Sequence, residues 1–196
     1  MRNTFKMYGK WEVPVIIKQA IPLDHVELVA YSDTRRNDRP ENRSRGVHFF
    51  IDDYRFNDLY YHPDKSLEKL RQYAFLLSPD YSVYADMPMG RQLESVWHSR
   101  WVGAYWQSKG LTVIPTVMWS DARSFSFCFD GIEKGSIVAV GMIGCKKNNK
   151  KANLLGYNAM LERIEPSAVI CFGKPFPEMK GELIVVDYMA SRKVVR

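Results

Sequence analysis

The residues of this sequence best suited to chemistry are acids and glycine-lysine turns that close apolar runs. Five such places recur along the chain. They are Asp52, Asp53 and Tyr54; Ser78, Pro79 and Asp80; Trp119, Ser120 and Asp121; the stretch from Gly141 to Lys146; and Phe172, Gly173 and Lys174. If the runs are parallel strands, these ends converge on one rim, where α/β architectures bind ligands. Carboxylates brought together push their proton affinities apart, so that one can donate a proton while the other stays ionised. The same acids suit a hard divalent cation such as magnesium, which prefers oxygen ligands.

On this reading Asp52 and Asp121 are the candidate acid/base or metal-binding pair, with Asp80 as a further partner. Alternation over 47–53 puts His48, Phe50 and Asp52 on one face and Val47, Phe49 and Ile51 on the other. Asp52 is then expected to point into the mouth with His48 beneath it. A salt bridge from Asp52 to Arg55 is an equally good reading, and Asp80 after Pro79 is also a natural turn residue. Trp119 beside Ser120 and Asp121 offers a stacking face next to polar groups, suited to a sugar or nucleobase. The competing reading buries Trp119 and uses Ser120 or Asp121 as a cap.

Gly144, Gly173 and Lys174 form a candidate phosphate seat in the turns after two late strands. The spacing is not that of a P-loop. Cys145 precedes Lys146 and Lys147, whose charges would lower a thiol pKa. Neither H-E-x-x-H nor G-x-S-x-G occurs. The three cysteines form no C-x-x-C pair, so a disulfide framework or structural zinc site is not indicated.

The elements that would position these groups are read from periodicity. Strands are expected at 13–17, 26–31, 47–53, 75–79, 111–119, 137–143, 168–172 and 183–188. Helices are expected at 66–77, 90–109 and 152–165, with Gly110 and Pro166 as stops. Pro115 lacks an N–H and predicts an irregularity in its strand. Strands alternating with helices imply parallel β-α-β units. The expected fold is an α/β domain, either a small or degenerate β/α barrel or an open three-layer sheet. The length of 196 residues fits one domain but is short for a full barrel of about 250.

The net charge is +6, and it sits in two stretches. Arg35, Arg36, Arg39, Arg43 and Arg45 stand against three acids within 34–46 and the preceding Asp33, a segment expected to be a mobile loop. Lys146, Lys147, Lys150 and Lys151 have no acid between them. Both stretches are candidate nucleic-acid contacts, although charge runs more often form solvated faces. No apolar run approaches the ~20 residues that span a bilayer, and no secretory signal is visible, so a cytoplasmic protein without membrane contact is expected.

Several motifs occur in a fixed order. They are His-Phe-Phe-Ile-Asp-Asp-Tyr-Arg-Phe at 48–56, Leu-Ser-Pro-Asp-Tyr-Ser at 77–82, Gly-Ala-Tyr-Trp-Gln at 103–107, Val-Ile-Pro-Thr at 113–116 and Phe-Cys-Phe-Asp-Gly-Ile at 127–132. With the Gly-Ser-Ile-Val-Ala-Val-Gly run at 135–141, they resemble a domain family of unknown function found in bacteria, phages and mobile elements. The resemblance implies an intracellular setting and a mobile-element origin, and it assigns no catalytic residue. The function expected from the residues is hydrolase-like chemistry on a nucleotide or sugar-phosphate ligand, a divalent metal ion being the cofactor its acids would suit. The alternatives are a non-enzymatic nucleic-acid or partner-binding protein and a metal-dependent nuclease.

Overall fold

In the computed structural model, residues 4–145 and 149–195 are described. The chain begins with an antiparallel hairpin of β1 (Met7–Tyr8) and β2 (Val13–Pro14). The run expected as a strand at 13–17 therefore lies outside the main sheet and touches it only through a bridge between Ile16 and Ile132. Residues Ile21, Leu23 and Val26 then pack beneath the sheet interior as the chain enters β3 (Leu28–Ala30).

A short helix, α1 (Pro40–Arg43), precedes β4 (Gly46–His48). Two further single-turn helices follow, α2 (Asp58–Tyr61) and α3 (Leu67–Leu70), before β5 (Phe75–Leu77). The long helix expected at 66–77 is thus one turn. The Ala74 N–H bonds to the Arg43 and Arg45 carbonyls, drawing the chain into the sheet before its apolar periodicity can continue as helix. The 20-residue α4 (Met89–Ser108) ends where predicted, with Gly110 at φ +82°. It leads to β6 (Val113–Ile114), β7 (Ile137–Gly141), α5 (Lys150–Ile164), β8 (Ala168–Phe172), β9 (Leu183–Val186) and α6 (Tyr188–Ser191).

Seven strands run parallel in two ladders, β3-β4-β5-β6 and β7-β8-β9. Pro115 falls at the joint between them. Its carbonyl accepts from Ala139 N–H at 2.9 Å, and Val117 N–H returns a bond to the Ala139 carbonyl at 2.8 Å. The ladder therefore resumes at a Thr116–Ala139 bridge. The irregularity expected from Pro115 is this change of partner.

The joined sheet is strongly curled. His48 on β4 and Phe172 on β8 are four strand positions apart, roughly 19 Å in a flat sheet. Their ring centroids instead lie 4.3 Å apart. One face of the strands forms a single interior cluster that includes Leu28, Leu77, Ile114, Ala139, Ile170 and Val186. The opposite face splits into two outer shells. Val47, Phe49 and Val113 pack against Trp101 and Trp106 of α4, whereas Val138, Val140 and Val169 pack against Tyr157 and Met160 of α5. Among the described residues no hydrogen-bonded pairing joins β3 to β9. A gap of about 80 Å³ separates these edges, lined by Leu28, Arg45, Val186 and Ala190. The fold is α/β, rolled beyond a flat three-layer sheet into a barrel-like curl without ladder closure.

Two tight features hold this curl. Gly46 leaves room for Phe75 to fill the interior, since a Cβ there would lie 2.2 Å from the Phe75 ring. Arg100 of α4 is wholly buried beneath the joint. Its guanidinium donates to the carbonyls of Thr116 at 2.8 Å, Cys128 at 3.0 Å and Asp130 at 3.1 Å. Removing it strands three buried acceptors, each costing ~1–3 kcal/mol. Arg100→Met is expected to lower the unfolding free energy in denaturant titration by about 3 kcal/mol or more, and Arg100→Lys does not restore it because an ammonium lacks the planar fork.

Candidate functional site

The C-terminal ends of the strands open into a cleft of about 980 Å³, within the ordinary range for small-molecule sites. Its lining comes from every part of the rim: Ser32 after β3, His48 and Asp53 at and after β4, Asp80 after β5, Gly141 ending β7, and Arg192 after α6. The floor is aromatic. Phe50 stacks on Phe172 with ring centroids 4.9 Å apart, and His48 lies against both. Gly141 permits this packing, because a Cβ there would meet the Phe50 ring at 2.8 Å.

Asp80 is half-buried within this lining and has no hydrogen-bond partner among the described residues. Burial raises its carboxyl from the ordinary 3.8 to about 7, and the nearby Asp53 charge adds to the rise. Asp53 itself is fixed. Its carboxylate accepts from the Ser82 N–H at 3.0 Å and from the Ser82 hydroxyl at 2.9 Å. The Tyr84 hydroxyl donates in turn to Ser82 Oγ at 3.1 Å. The cleft therefore holds one immobilised carboxylate and a second that exchanges its proton near neutrality.

His48 is 2% exposed, and burial lowers its pKa to about 3, so the ring is neutral. Its Nδ1 accepts the Phe50 N–H at 3.2 Å, which places the proton on Nε2. That Nε2 has no partner. At the outer edge Arg55 lies over the Tyr54 ring at 5.2 Å and Arg192 over the Tyr188 ring at 4.8 Å. Tyr54 and Tyr84 are themselves largely exposed.

The sequence-derived candidates are distributed unevenly around this site. Asp52 lines the cleft, but its side chain is 72% exposed at the rim and pairs with Arg55 at 3.8 Å. An Ile51 N–H to Phe49 carbonyl bond at 2.8 Å bends the chain after β4, so the strand does not continue to carry Asp52 inward. Asp121 is not part of the lining. It is held by Arg123 Nη2 at 2.7 Å, which lowers its pKa, and Arg123 also bonds the Ala85 carbonyl. Asp52 and Asp121 are therefore not brought together in this cleft.

Trp119 packs across Gly156 of α5, where a Cβ would lie 2.1 Å from its indole nitrogen. It belongs to the outer shell. The Ser120 hydroxyl donates to Gln92 Oε1 at 2.5 Å. Gly144 and Lys174 are exposed, and Gly173, at φ +100°, packs against Met142 and Ile143 rather than lining the cleft. Burial raises the Cys145 thiol pKa, opposite to the lowering expected from its lysine neighbours. Lys146 and Lys147 lie outside the described residues.

The arginine-rich segment is tied to the body by buried Asp38, which accepts from Asn42 Nδ2 at 2.6 Å, from the Arg39 N–H at 2.8 Å and from the Tyr73 hydroxyl. Arg35, Arg36, Arg39 and Arg43 are exposed, while Arg45 is half-buried against Glu27 at 3.4 Å. Lys150 pairs with Glu178 at 2.5 Å, and Lys151 is exposed. Among the described residues no group of three His, Cys, Asp or Glu side chains is placed to hold a metal ion. No helix among them is long and apolar enough to cross a membrane.

Fold and cleft define a curled parallel α/β protein with an acidic, aromatic mouth at its strand ends. The chain belongs to the family described as a domain of unknown function, DUF4417, whose model matches residues 5–189. It is 36% identical over 178 residues to the Gene 1 protein of Mycobacterium phage L5, covering 89% of this chain and 76% of that protein. It is 33% identical over 178 residues to the Gene 1 protein of Mycobacterium phage D29, covering 89% of this chain and 64% of that protein. No solved structure matches.

The raised Asp80 pKa fixes a pH dependence. Between about 3.8 and 7 the folded protein holds a proton that the unfolded chain has released. Stability contributed by Asp80 therefore falls as pH rises through that window. Asp80→Asn is expected to raise the melting temperature at pH 8 and to change it little at pH 3, as read by calorimetry. An equal effect at both pH values would overturn the assignment.

Proposed function

We propose that this protein is a small acid/base enzyme, hydrolytic in type, acting on a nucleotide or sugar-phosphate ligand in the strand-end cleft. The observation that carries the reading is Asp80, a carboxyl titrating near neutrality beside the fixed Asp53 carboxylate. A general acid/base works best with a pKa close to the operating pH. Asp80 rather than Asp121 is then the proton-transferring group, and Asp53 keeps it protonated more often than an isolated aspartate would be. The rim guanidiniums of Arg55 and Arg192 suit the phosphate. A magnesium ion is often held by one or two carboxylates together with substrate phosphates, so Asp53 and Asp80 suffice for metal assistance without a larger cage. The phage relatives support action inside an infected cell.

A thermal-shift screen with nucleotides, sugar phosphates and divalent ions tests this proposal. A true ligand at about 100 times its Kd stabilises by ~2.7 kcal/mol. The shift is expected to shrink in Arg192→Ala. Turnover of the hit, followed by NMR, is expected to inflect near pH 7 and to fall by about 100-fold or more in Asp80→Asn. A hit whose binding and turnover survive both substitutions places the chemistry elsewhere.

The exposed Arg35, Arg36, Arg39 and Arg43 support a second reading, because none forms an ion pair among the described residues. They would contact a nucleic-acid backbone. Such binding is expected to weaken steeply with salt, the slope falling by about 0.7–0.9 for each phosphate contact removed. Filter binding of DNA and RNA across salt concentrations, repeated with Arg35→Gln and Arg39→Gln, reads this directly. Salt-insensitive binding, or slopes unchanged by the substitutions, would exclude it.

A further inference from the structure

His48 combines two features that its packing alone does not require. Its Nδ1 is satisfied from within the chain by the Phe50 N–H. Its Nε2–H, in a residue 2% exposed, meets no acceptor among the described residues and lies in the lining of the cleft. A buried donor without a partner costs about 1–3 kcal/mol, so its position is useful where a ligand supplies the acceptor. The tautomer leaves no ambiguity over what that ligand atom must be. It is an oxygen or ring nitrogen with a lone pair, since a neutral imidazole in this state can only donate at Nε2.

The surroundings narrow the ligand further. Phe50 and Phe172 flank the imidazole with flat apolar faces, which favours a planar ring over a flexible polar chain. Charge is graded with depth. The floor holds the neutral His48 and the half-buried Asp80, whereas the Arg55 and Arg192 guanidiniums are exposed at the edge. A ligand matched to both ends is planar and acceptor-bearing at one end and anionic at the other.

Resting on the cleft reading above, we propose that the ligand is a nucleoside monophosphate bound base-inward, with a base carbonyl or ring nitrogen accepting from His48 Nε2 and the phosphate at the rim arginines. His48 is then a specificity-determining residue, and Asp80 supplies or takes the proton beside it.

The test uses the full chain with 15N-labelled histidine. Long-range proton–nitrogen spectra follow His48 Nε2 while AMP, GMP, CMP, UMP, ribose 5-phosphate and inorganic phosphate are added separately. At least one nucleotide is expected to move the Nε2–H resonance downfield and to slow its exchange with solvent. Ribose 5-phosphate and phosphate are expected to leave it in place. Affinity for that nucleotide, measured by calorimetry, is expected to fall roughly ten-fold or more in His48→Phe. Because the spectra are taken on the unsubstituted protein, misfolding of that variant does not remove the answer. Nucleotide binding with Nε2 unmoved, or ribose 5-phosphate moving it equally, overturns the base-inward assignment while leaving the cleft reading standing. Absence of binding by every probe overturns both.

Discussion

The arrangement rests on one buried cation. Arg100 lies where the parallel ladder is interrupted, because Pro115 has no N–H and the strands exchange neighbours there. An interruption inside a protein leaves carbonyls without partners, and a guanidinium can satisfy several at once through its fixed fork. Burial lowers the Arg100 pKa to about 10, still above neutrality, so the charge is retained. Its three carbonyl contacts tie α4 to the end of β6 and to the 128–130 loop. The joint between the two ladders is thus made rigid from behind, and the curl that follows creates the mouth.

The mouth depends on the curl because its components come from distant parts of the sequence. Asp53 and Asp80 are reached through the first ladder, and Gly141 and Arg192 through the second. Only a rolled sheet brings them around one opening. The aromatic contacts of His48, Phe50 and Phe172 cross that opening and join the halves on the inside. The similarity to the two phage proteins extends over most of the chain and so includes both halves of the rim.

The sequence made the strong periodic elements legible. The strand at 168–172 and the stop of α4 at Gly110 follow directly from apolar runs and turn chemistry. Pro115 announced the break in the ladder, although not its repair by Arg100, whose partners come from residues up to 30 positions away. The helix expected through 77 illustrates the opposite case: its apolar spacing is real, but backbone bonds to the preceding segment convert its second half to strand. At the site, the rule that ligands gather at strand ends located the correct rim and included Asp80 and the His48 face. It ranked the acids differently from the structure. Local spacing cannot show that Arg123 neutralises Asp121 or that a bend sends Asp52 outward, and desolvation of Asp80 arises only from tertiary neighbours. Phe172, whose ring forms the floor, was visible only as the last residue before a glycine-lysine turn.

The unjoined edges of β3 and β9 give the curl a mechanical property that a sealed cylinder lacks. The circumference can widen or narrow by small movements at this seam without rupture of any interstrand bond within either ladder. Exposed strand edges also invite pairing with other chains. Here α6 packs beside β3, and Arg45, paired with Glu27, adds charge along the same border. The cover discourages such intermolecular pairing while leaving the ring free to breathe.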